Sequence, residues 1–168
     1  MMERMDGFRI RRAVAGDLPR LGEIYASARR YMRSQGNLSQ WSDTYPSESS
    51  ARADMERGWC HVVESEGRVV ATFCLMTDPE PTYSSLDEAL EVPYVTLHRV
   101  ASDGSARGIL SAAVRYAVSR HHCDVRIDTH SDNIPMRRAI LREGFELTGP
   151  IILADGSPRD SFRLKVNQ

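Results

Sequence analysis

The second half of the chain alternates strand-like and helix-like segments. PYVTLHRVA (93–101) has the β-branched pattern of a strand, and SARGILSAAVRYAVSRHH (105–122) carries one apolar stripe at helical spacing. DVRIDTH (124–130) is a second strand, and 135–143 is a second helix. A helix between two strands of one sheet makes them parallel, with a right-handed crossover. This order predicts an α/β fold with a central parallel strand pair flanked by helices.

The remaining segments predict antiparallel neighbours around that pair. The 8–14 segment alternates as a strand does, and Asp17 with Pro19 signals a helix start after it. Short connections turning at Glu66-Gly67 and at Asp155-Gly156 predict two hairpins. The first hairpin pairs strand 60–65 with 68–76, and the second pairs 147–153 with 160–166. One more short helix is expected over 48–57. The expected fold class is a mixed, mostly antiparallel α/β sheet. The length of 168 residues suits a single domain, 1–168.

Composition narrows the class of protein. A net charge of −1 gives no electrostatic case for nucleic acid or for a membrane surface as partner. The N-terminal MMERMDG lacks the apolar run of a signal peptide, and no apolar run approaches the roughly 20 residues of a membrane span. Three cysteines without C-x-x-C spacing favour a reduced, cytoplasmic protein with neither a disulfide framework nor a metal site.

The stretch IDTHSDNIPMRRAILREGF (127–145) places an aspartate and a histidine at a strand end and then a short amphipathic helix. Pro135 suits the start of that helix, and Gly144 suits a left-handed position after its end. Together with LHRVASDGSARGILSAAVRYA and IRRAVAGDLPRLGEIY, this stretch resembles the GCN5-related N-acetyltransferase (GNAT) superfamily. HRVASDG, RIDTHSDN and the GNLSQW…YP loop further resemble an uncharacterised bacterial subgroup.

The resemblance implies a GNAT-like fold and acetyl-CoA as cosubstrate. The family binds pyrophosphate on backbone N–H groups at a helix start, where unpaired donors and the helix dipole favour anions. Its pattern is Gln/Arg-x-x-Gly-x-Gly/Ala, and only Gly108 matches it here, so a plain turn with an exposed arginine is the alternative interpretation. The residues implied on the cofactor side are Val100, Gly104, Ser105, Arg107, Gly108, Ile109, Leu110 and Asn133.

Transfer to an amine needs a base, since an alkylammonium has a pKa near ~10. The resemblance places the family base at Asp128, and His98 is the other candidate because histidine titrates near neutral pH. A structural ion pair is the alternative for Asp128, and a half-buried strand residue is the alternative for His98. Ile140 occupies the position of the tyrosine that usually protonates the thiolate, so Tyr94 or water would have to replace it.

The acceptor is expected over the first helices and the 78–93 connection. The implied acceptor-binding residues are Gln40, Trp41, Tyr45 and His130, near Asn37. An acidic rim favours a cationic amine over an acidic one; it comprises Asp78, Glu80, Asp87, Glu88 and Glu91. Trp41 as a hydrophobic plug, and the acidic run as a solvated loop, are equally open interpretations.

The expected function is direct acetyl transfer from acetyl-CoA to a small-molecule amine, by a protein that could form a homodimer. A catalytically idle acyl-CoA-binding regulatory module is the alternative.

Overall fold

The strands form a single mixed sheet in the part of the chain that the computed structural model describes, residues 2–86 and 92–167. Its strand order is β1-β2-β3-β4-β5-β6-β8-β7, and β5–β6 is the parallel pair among otherwise antiparallel neighbours. The predicted mixed α/β class is therefore confirmed. The strands are β1 Glu3–Met5, β2 Phe8–Arg12, β3 Cys60–Ser65, β4 Arg68–Met76, β5 Tyr94–Ser102, β6 Asp124–Thr129, β7 Glu146–Ile152 and β8 Pro158–Leu164.

Helices cover both faces of the sheet. They are α1 Leu18–Ser34, α2 Glu48–Glu56, α3 Ile109–His121 and α4 Ile134–Arg142, with short 3₁₀ helices at Ala15–Asp17 and Pro81–Ser85. One apolar cluster joins α3 and α4 to the sheet and contains Leu97, Ile127 and Ile140. A second cluster joins α1 to the other face through Leu21 and Val62. Each such fully buried aliphatic side chain contributes roughly 1.5–3 kcal/mol to folding.

The close of α4 follows the sequence expectation. Gly144 has φ +92°, the left-handed region in which glycine meets no Cβ penalty, and its N–H donates to the carbonyl of Leu141. Phe145 then turns back under the sheet and is 3% exposed. The predicted Gly-Phe helix end is confirmed.

Three elements differ from the sequence expectation. The three-residue β1 pairs with β2 although it is too short to show an alternating pattern. Helix α3 begins at Ile109 rather than near 105, because Gly108 adopts φ +83° before it. The acidic connection contains the 3₁₀ helix Pro81–Ser85, while Asp87, Glu88 and Glu91 of the predicted rim lie outside the described residues. Across residues 2–86 and 92–167, no helix has both the length and the apolar character to cross a membrane.

Candidate active site

The sheet opens at the end of its parallel pair. The pairing of β5 with β6 runs from Tyr94–Asp124 to Leu97–Ile127, and His98 and Asp128 are the next residues on the two strands. The register of the two strands therefore brings the side chains of His98 and Asp128 close together. His98 Nδ1 lies 3.9 Å from Asp128 Oδ2.

A β-bulge in β5 lies directly beside this opening. Thr72 pairs with Ala101 and Cys74 with His98, so Arg99 and Val100 together face the single residue Phe73 of β4. Arg99 has φ +48°, unusual for a residue with a side chain. Bulges interrupt the ladder and redirect the backbone, often beside active sites. The bulge turns the backbone at Val100 out of regular pairing at the edge of the cavity.

A cavity of about 250 Å³ occupies the opening. Of the residues expected from sequence, its walls include His98, Asp128, Val100, Asn133, Gln40, Trp41 and Tyr45. Tyr94 and His130 do not line it. The Nδ1 of His130 instead accepts the backbone N–H of Asp132 at 3.0 Å. Two separate sequence expectations, the bases and the acceptor loop, therefore meet in one cavity.

His98 is held by a second carboxylate that sequence reasoning assigned only to the rim. His98 Nε2 lies 2.8 Å from Oε2 of Glu80, at hydrogen-bond distance. Burial raises the pKa of Glu80, but the hydrogen bond and charge of His98 and the hydrogen bonds from Thr82 outweigh it and lower the pKa to about 2. Glu80 is therefore ionised at neutral pH and accepts the Nε2 proton. His98 then presents Nδ1 toward Asp128.

Two tyrosines complete the cluster around these carboxylates. The Tyr83 hydroxyl donates to Oδ2 of Asp128 at 2.7 Å, and Tyr83 is fully buried. Burial first, and the adjacent Asp128 second, raise the pKa of Tyr83 well above its usual value, so it stays a neutral donor. The Tyr94 hydroxyl accepts the backbone N–H of Glu80 at 3.0 Å. Tyr94 thus holds Glu80 in place behind the cavity wall.

The loop that carries Gln40, Trp41 and Tyr45, called the acceptor loop below, is joined to the sheet through the side-chain oxygen of Gln40. Gln40 Oε1 accepts from Asn37 Nδ2 at 2.9 Å, Asn133 Nδ2 at 3.1 Å and Thr129 Oγ1 at 3.3 Å. Asn133 also caps α4, because its Oδ1 accepts the N–H of Met136. A single amide therefore ties the loop to the end of β6 and the start of α4.

Trp41 belongs to the core cluster of α1 and also reaches the first cavity. Its ring is 9% exposed and meets Tyr25 edge-on at 6.3 Å between centroids, inside the α1 cluster. The same residue lines the cavity. Tyr45, in contrast, is 43% exposed, and its hydroxyl accepts from Nη1 of Arg99 at 3.1 Å.

A second, more apolar cavity of about 400 Å³ adjoins the first and shares Val100, Met32, Asn133 and Met136 with it. Its remaining walls come from α1, the start of α3 and α4, and it reaches Gly104. This groove suits a long, largely apolar arm that ends at a helix N-terminus.

The loop at the far end of that groove is exposed at Gly104, Ser105, Arg107 and Gly108, while Ile109 and Leu110 are buried. The N-cap residue Gly108 makes no side-chain hydrogen bond to the first turn of α3. Asp103 lies at the same loop, where its Oδ1 accepts the N–H of Ser105 at 2.8 Å. Burial raises the pKa of Asp103, but Ser105 and Arg20 outweigh it, and the net pKa is lowered.

Four site residues escaped the sequence analysis: Tyr83, Arg99 and Arg159, and Glu80 as a partner of His98. Arg99 donates to both carboxylate oxygens of Asp54, at 2.8 and 2.6 Å. Arg159 lines the first cavity from β8. No local motif marks any of the four, although Glu80-Pro81 reads as a helix-start signal and accounts for the 3₁₀ turn that positions Glu80. In the described part of the chain, no group of three or more His, Cys, Asp or Glu side chains is placed to hold a metal ion.

A comparison with family sequence models matches residues 8–146 to the acetyltransferase (GNAT) domain. The chain belongs to the GNAT family. Among solved structures, a GNAT-family acetyltransferase from Streptococcus agalactiae is similar over 98% of each chain, with a TM-score of 0.85 and 24% identity.

Two further solved structures share the fold. A GNAT-family acetyltransferase from Listeria monocytogenes covers 99% of this chain and 100% of its own, with a TM-score of 0.72 and 17% identity. A ribosomal-protein-alanine N-acetyltransferase from Brucella melitensis covers 94% and 99%, with a TM-score of 0.63 and 21% identity. A comparison with curated proteins gives no match. These GNAT relatives agree with the chain in fold.

Proposed function

We propose that this GNAT protein transfers the acetyl group of acetyl-CoA directly to the amino group of a small molecule. One observation carries the proposal: His98 stands between Glu80 at 2.8 Å and Asp128 at 3.9 Å, in a cavity that adjoins an apolar groove. A proton acceptor and a donor groove therefore meet at the bulge of β5.

The groove and the start of α3 would hold the donor. When bound, acetyl-CoA supplies the acetyl group as a thioester. The apolar groove residues fit its arm, and Gly108 at φ +83° allows backbone to approach the pyrophosphate at the N-terminus of α3. The backbone N–H at Val100, beside the bulge, would donate to the thioester oxygen.

His98 with its two carboxylates would remove the proton of the amine. An alkylammonium has a pKa near ~10, so it arrives charged and is attracted by Asp128 and Glu80. Because Glu80 accepts the Nε2 proton, Nδ1 of His98 is the nitrogen that receives the new one. The two carboxylates then stabilise the imidazolium. At 3.9 Å, Asp128 acts on Nδ1 through charge rather than through a direct hydrogen bond.

The usual acid for the departing thiolate is replaced here by an aliphatic residue. Ile140, at the family position of that acid, is fully buried in the apolar cluster of α4. Tyr94 lies behind the cavity wall, and its hydroxyl is engaged by the N–H of Glu80. Tyr94 is therefore a positioning residue in this proposal. A thiolate whose thiol has an ordinary pKa near ~8.5 leaves without an acid and takes its proton from water.

Direct transfer also agrees with the state of the cysteines. All three are buried, and none lines the cavity. Burial raises the pKa of Cys60 to about 11 and that of Cys74 to about 12. Thiols held protonated in this way are poor nucleophiles, which argues against a covalent acetyl-enzyme.

A second candidate function is an acyl-CoA-binding module without turnover. The carboxylate of Asp103 favours it, because that group already occupies the N–H of Ser105 and puts negative charge beside the pyrophosphate position. In this case the groove would bind acetyl-CoA weakly, and no amine bound in the cavity would be acetylated.

The experiment measures release of free coenzyme A from acetyl-CoA with a panel of small amines. Asp128→Asn and His98→Gln each remove basicity at nearly constant shape. Loss of a positioned base costs on the order of 10² to 10⁴ in turnover. Asp132→Asn is the matched control, since its side chain is 59% exposed and belongs to the turn that follows β6. Calorimetric titration with acetyl-CoA verifies that each variant still binds the donor.

Two results would overturn parts of the proposal. Turnover of Asp128→Asn and His98→Gln within a few-fold of the Asp132→Asn control would remove the proton-accepting role from this cluster. Binding of acetyl-CoA with no coenzyme A release for any amine would instead favour the module without turnover.

A further inference from the structure

Arg159 is a buried cation whose partners are all neutral. It is 6% exposed and lines the first cavity. Its Nη1 donates to Oγ of Ser157 at 3.3 Å and to the carbonyl of Pro158 at 2.8 Å, and its Nη2 donates to the carbonyl of Gln40 at 3.1 Å. Within residues 2–86 and 92–167, no carboxylate forms an ion pair with this guanidinium.

Two partly buried arginines of the chain are each paired with a carboxylate instead. Arg99 binds Asp54 through two hydrogen bonds, and Arg163 donates to Asp124 at 2.7 Å. A buried charge is normally paired, because taking a cation out of water without a counter-ion is unfavourable. Burial lowers the pKa of Arg159, and the charges of Asp128 and Asp155 offset only part of the effect. The guanidinium still stays charged at any physiological pH.

The guanidinium of Arg159 has more N–H donors than hydrogen bonds. An arginine carries five N–H donors, and the three hydrogen bonds of Arg159 leave at least two of them free for a ligand. No bond to Nε is formed within residues 2–86 and 92–167. Two adjacent N–H groups of a guanidinium match the two oxygens of a carboxylate.

Register places Arg159 on the same sheet face as the proton-accepting cluster. Ser161 of β8 pairs with Asp128 of β6, and Arg159 lies two residues from Ser161 on that strand. Diagonal neighbours of this kind have Cα atoms about 7–8 Å apart. The cavity is therefore lined both by the carboxylates of Glu80 and Asp128 and by the guanidinium of Arg159.

We propose that the acceptor is an amino acid, with its ammonium at Asp128 and His98 and its carboxylate on the free N–H groups of Arg159. A zwitterion of this kind offers an ammonium to the carboxylates of the cavity and a carboxylate to its guanidinium. The identity of this acceptor class rests on the proposed amine acetylation, whereas the carboxylate site itself requires only binding.

If Arg159 had a purely structural role, its substitution would have a different effect on the kinetics. Its bonds to the carbonyls of Gln40 and Pro158 join the acceptor loop to β8, so its removal could loosen the cavity for every acceptor alike. A carboxylate site instead changes the choice between acceptors that differ only in that group. The ratio of two rates measured on the same variant separates these cases.

The experiment compares the standard L-α-amino acids with their carboxamides, at equal concentrations of the ammonium form that the cavity is proposed to bind. A charge-assisted pair predicts that the acid exceeds its amide in kcat/KM by about 10- to 150-fold for the preferred side chain. Arg159→Met should bring this ratio close to one, and Arg159→Lys, which keeps charge without the planar fork, should give an intermediate value. Arg142→Met, an exposed position in the last turn of α4, is the control that should keep the wild-type ratio.

Binding of the same acids and amides is also measured by calorimetry with coenzyme A present, which reads the carboxylate site without turnover. Preference for the acid in binding, with no acetylation of either, would keep the carboxylate site and remove the proposed function. Acetylation of amides as fast as acids by wild type would overturn the carboxylate site alone. An unchanged ratio in Arg159→Met, confirmed as folded by circular dichroism, would overturn it too, as would equal loss for acid and amide in Arg159→Met and Arg159→Lys.

Discussion

The pair formed by Asp54 and Arg99 is expected to hold the bulge of β5 in its active shape. Arg99 adopts φ +48° at the bulge, and its guanidinium crosses to α2, where both oxygens of Asp54 accept from it. Burial lowers the pKa of Arg99, but the hydrogen bond to Asp54 and nearby negative groups outweigh it and raise the pKa overall. The unusual backbone is thus secured by a side chain from a different element.

Asp54→Asn keeps the shape and removes the charge of this partner. Breaking a buried ion pair from one side costs about 3–5 kcal/mol. The lower end applies here, because the Arg99 side chain is 20% exposed and retains the Tyr45 hydroxyl and Cys74 sulfur as neighbours. A loss of about 3 kcal/mol in a chain of 168 residues lowers Tm by about 6–12 °C. Displacement of Val100 should also reduce kcat by about 10- to 100-fold.

Asp78→Asn is the matched control for that experiment. It removes the same group from the pair with Arg57, whose side chains are 63% and 55% exposed, and such pairs contribute about 0–1 kcal/mol. Urea unfolding and steady-state kinetics of both variants measure the contrast. If Asp54→Asn loses no more stability than Asp78→Asn, the pair does not secure the bulge, and the argument from burial is wrong.

Three further outcomes are expected. Burial lowers the pKa of His61 to about 4, whereas an unfolded histidine has about 6.5, so stability should fall by up to about 3 kcal/mol as pH drops from 6.5 to 4. His61→Phe should flatten this profile in urea titrations while His122→Asn, at an exposed left-handed position, should retain it. Gly108→Val, strained at φ +83°, should raise the Kd for acetyl-CoA in calorimetry, whereas Gly156→Val at the same φ should not. Trp41→Ala should lower stability by about 3–5 kcal/mol and also raise the acceptor KM; a change in only one of the two would assign the ring to core or cavity alone.

Periodicity and chain order by themselves determined the architecture. Alternating strands and helices after Tyr94 require a parallel pair with a crossover, and that requirement is local to about fifty residues. The same logic predicted the left-handed Gly144 after α4, because helix ends are specified by the residues that form them. Hairpins with short Gly-containing turns are local in the same sense. The approach of His98 to Asp128 depends on the register of the parallel pair, in which both residues follow the last paired residues of their strands.

Only the tertiary structure decided the partners of those residues. Glu80 reaches His98 across 18 positions, Tyr83 reaches Asp128 across 45, and Arg159 meets Gln40 across 119. Each of these contacts depends on where a connection packs over the finished sheet, which no period of 2 or 3.6 residues encodes. A side chain's burial decides whether its charge needs a partner, and burial is a property of the whole fold. The sequence could therefore predict the base candidates, whereas the cation that lines the same cavity became visible only in three dimensions.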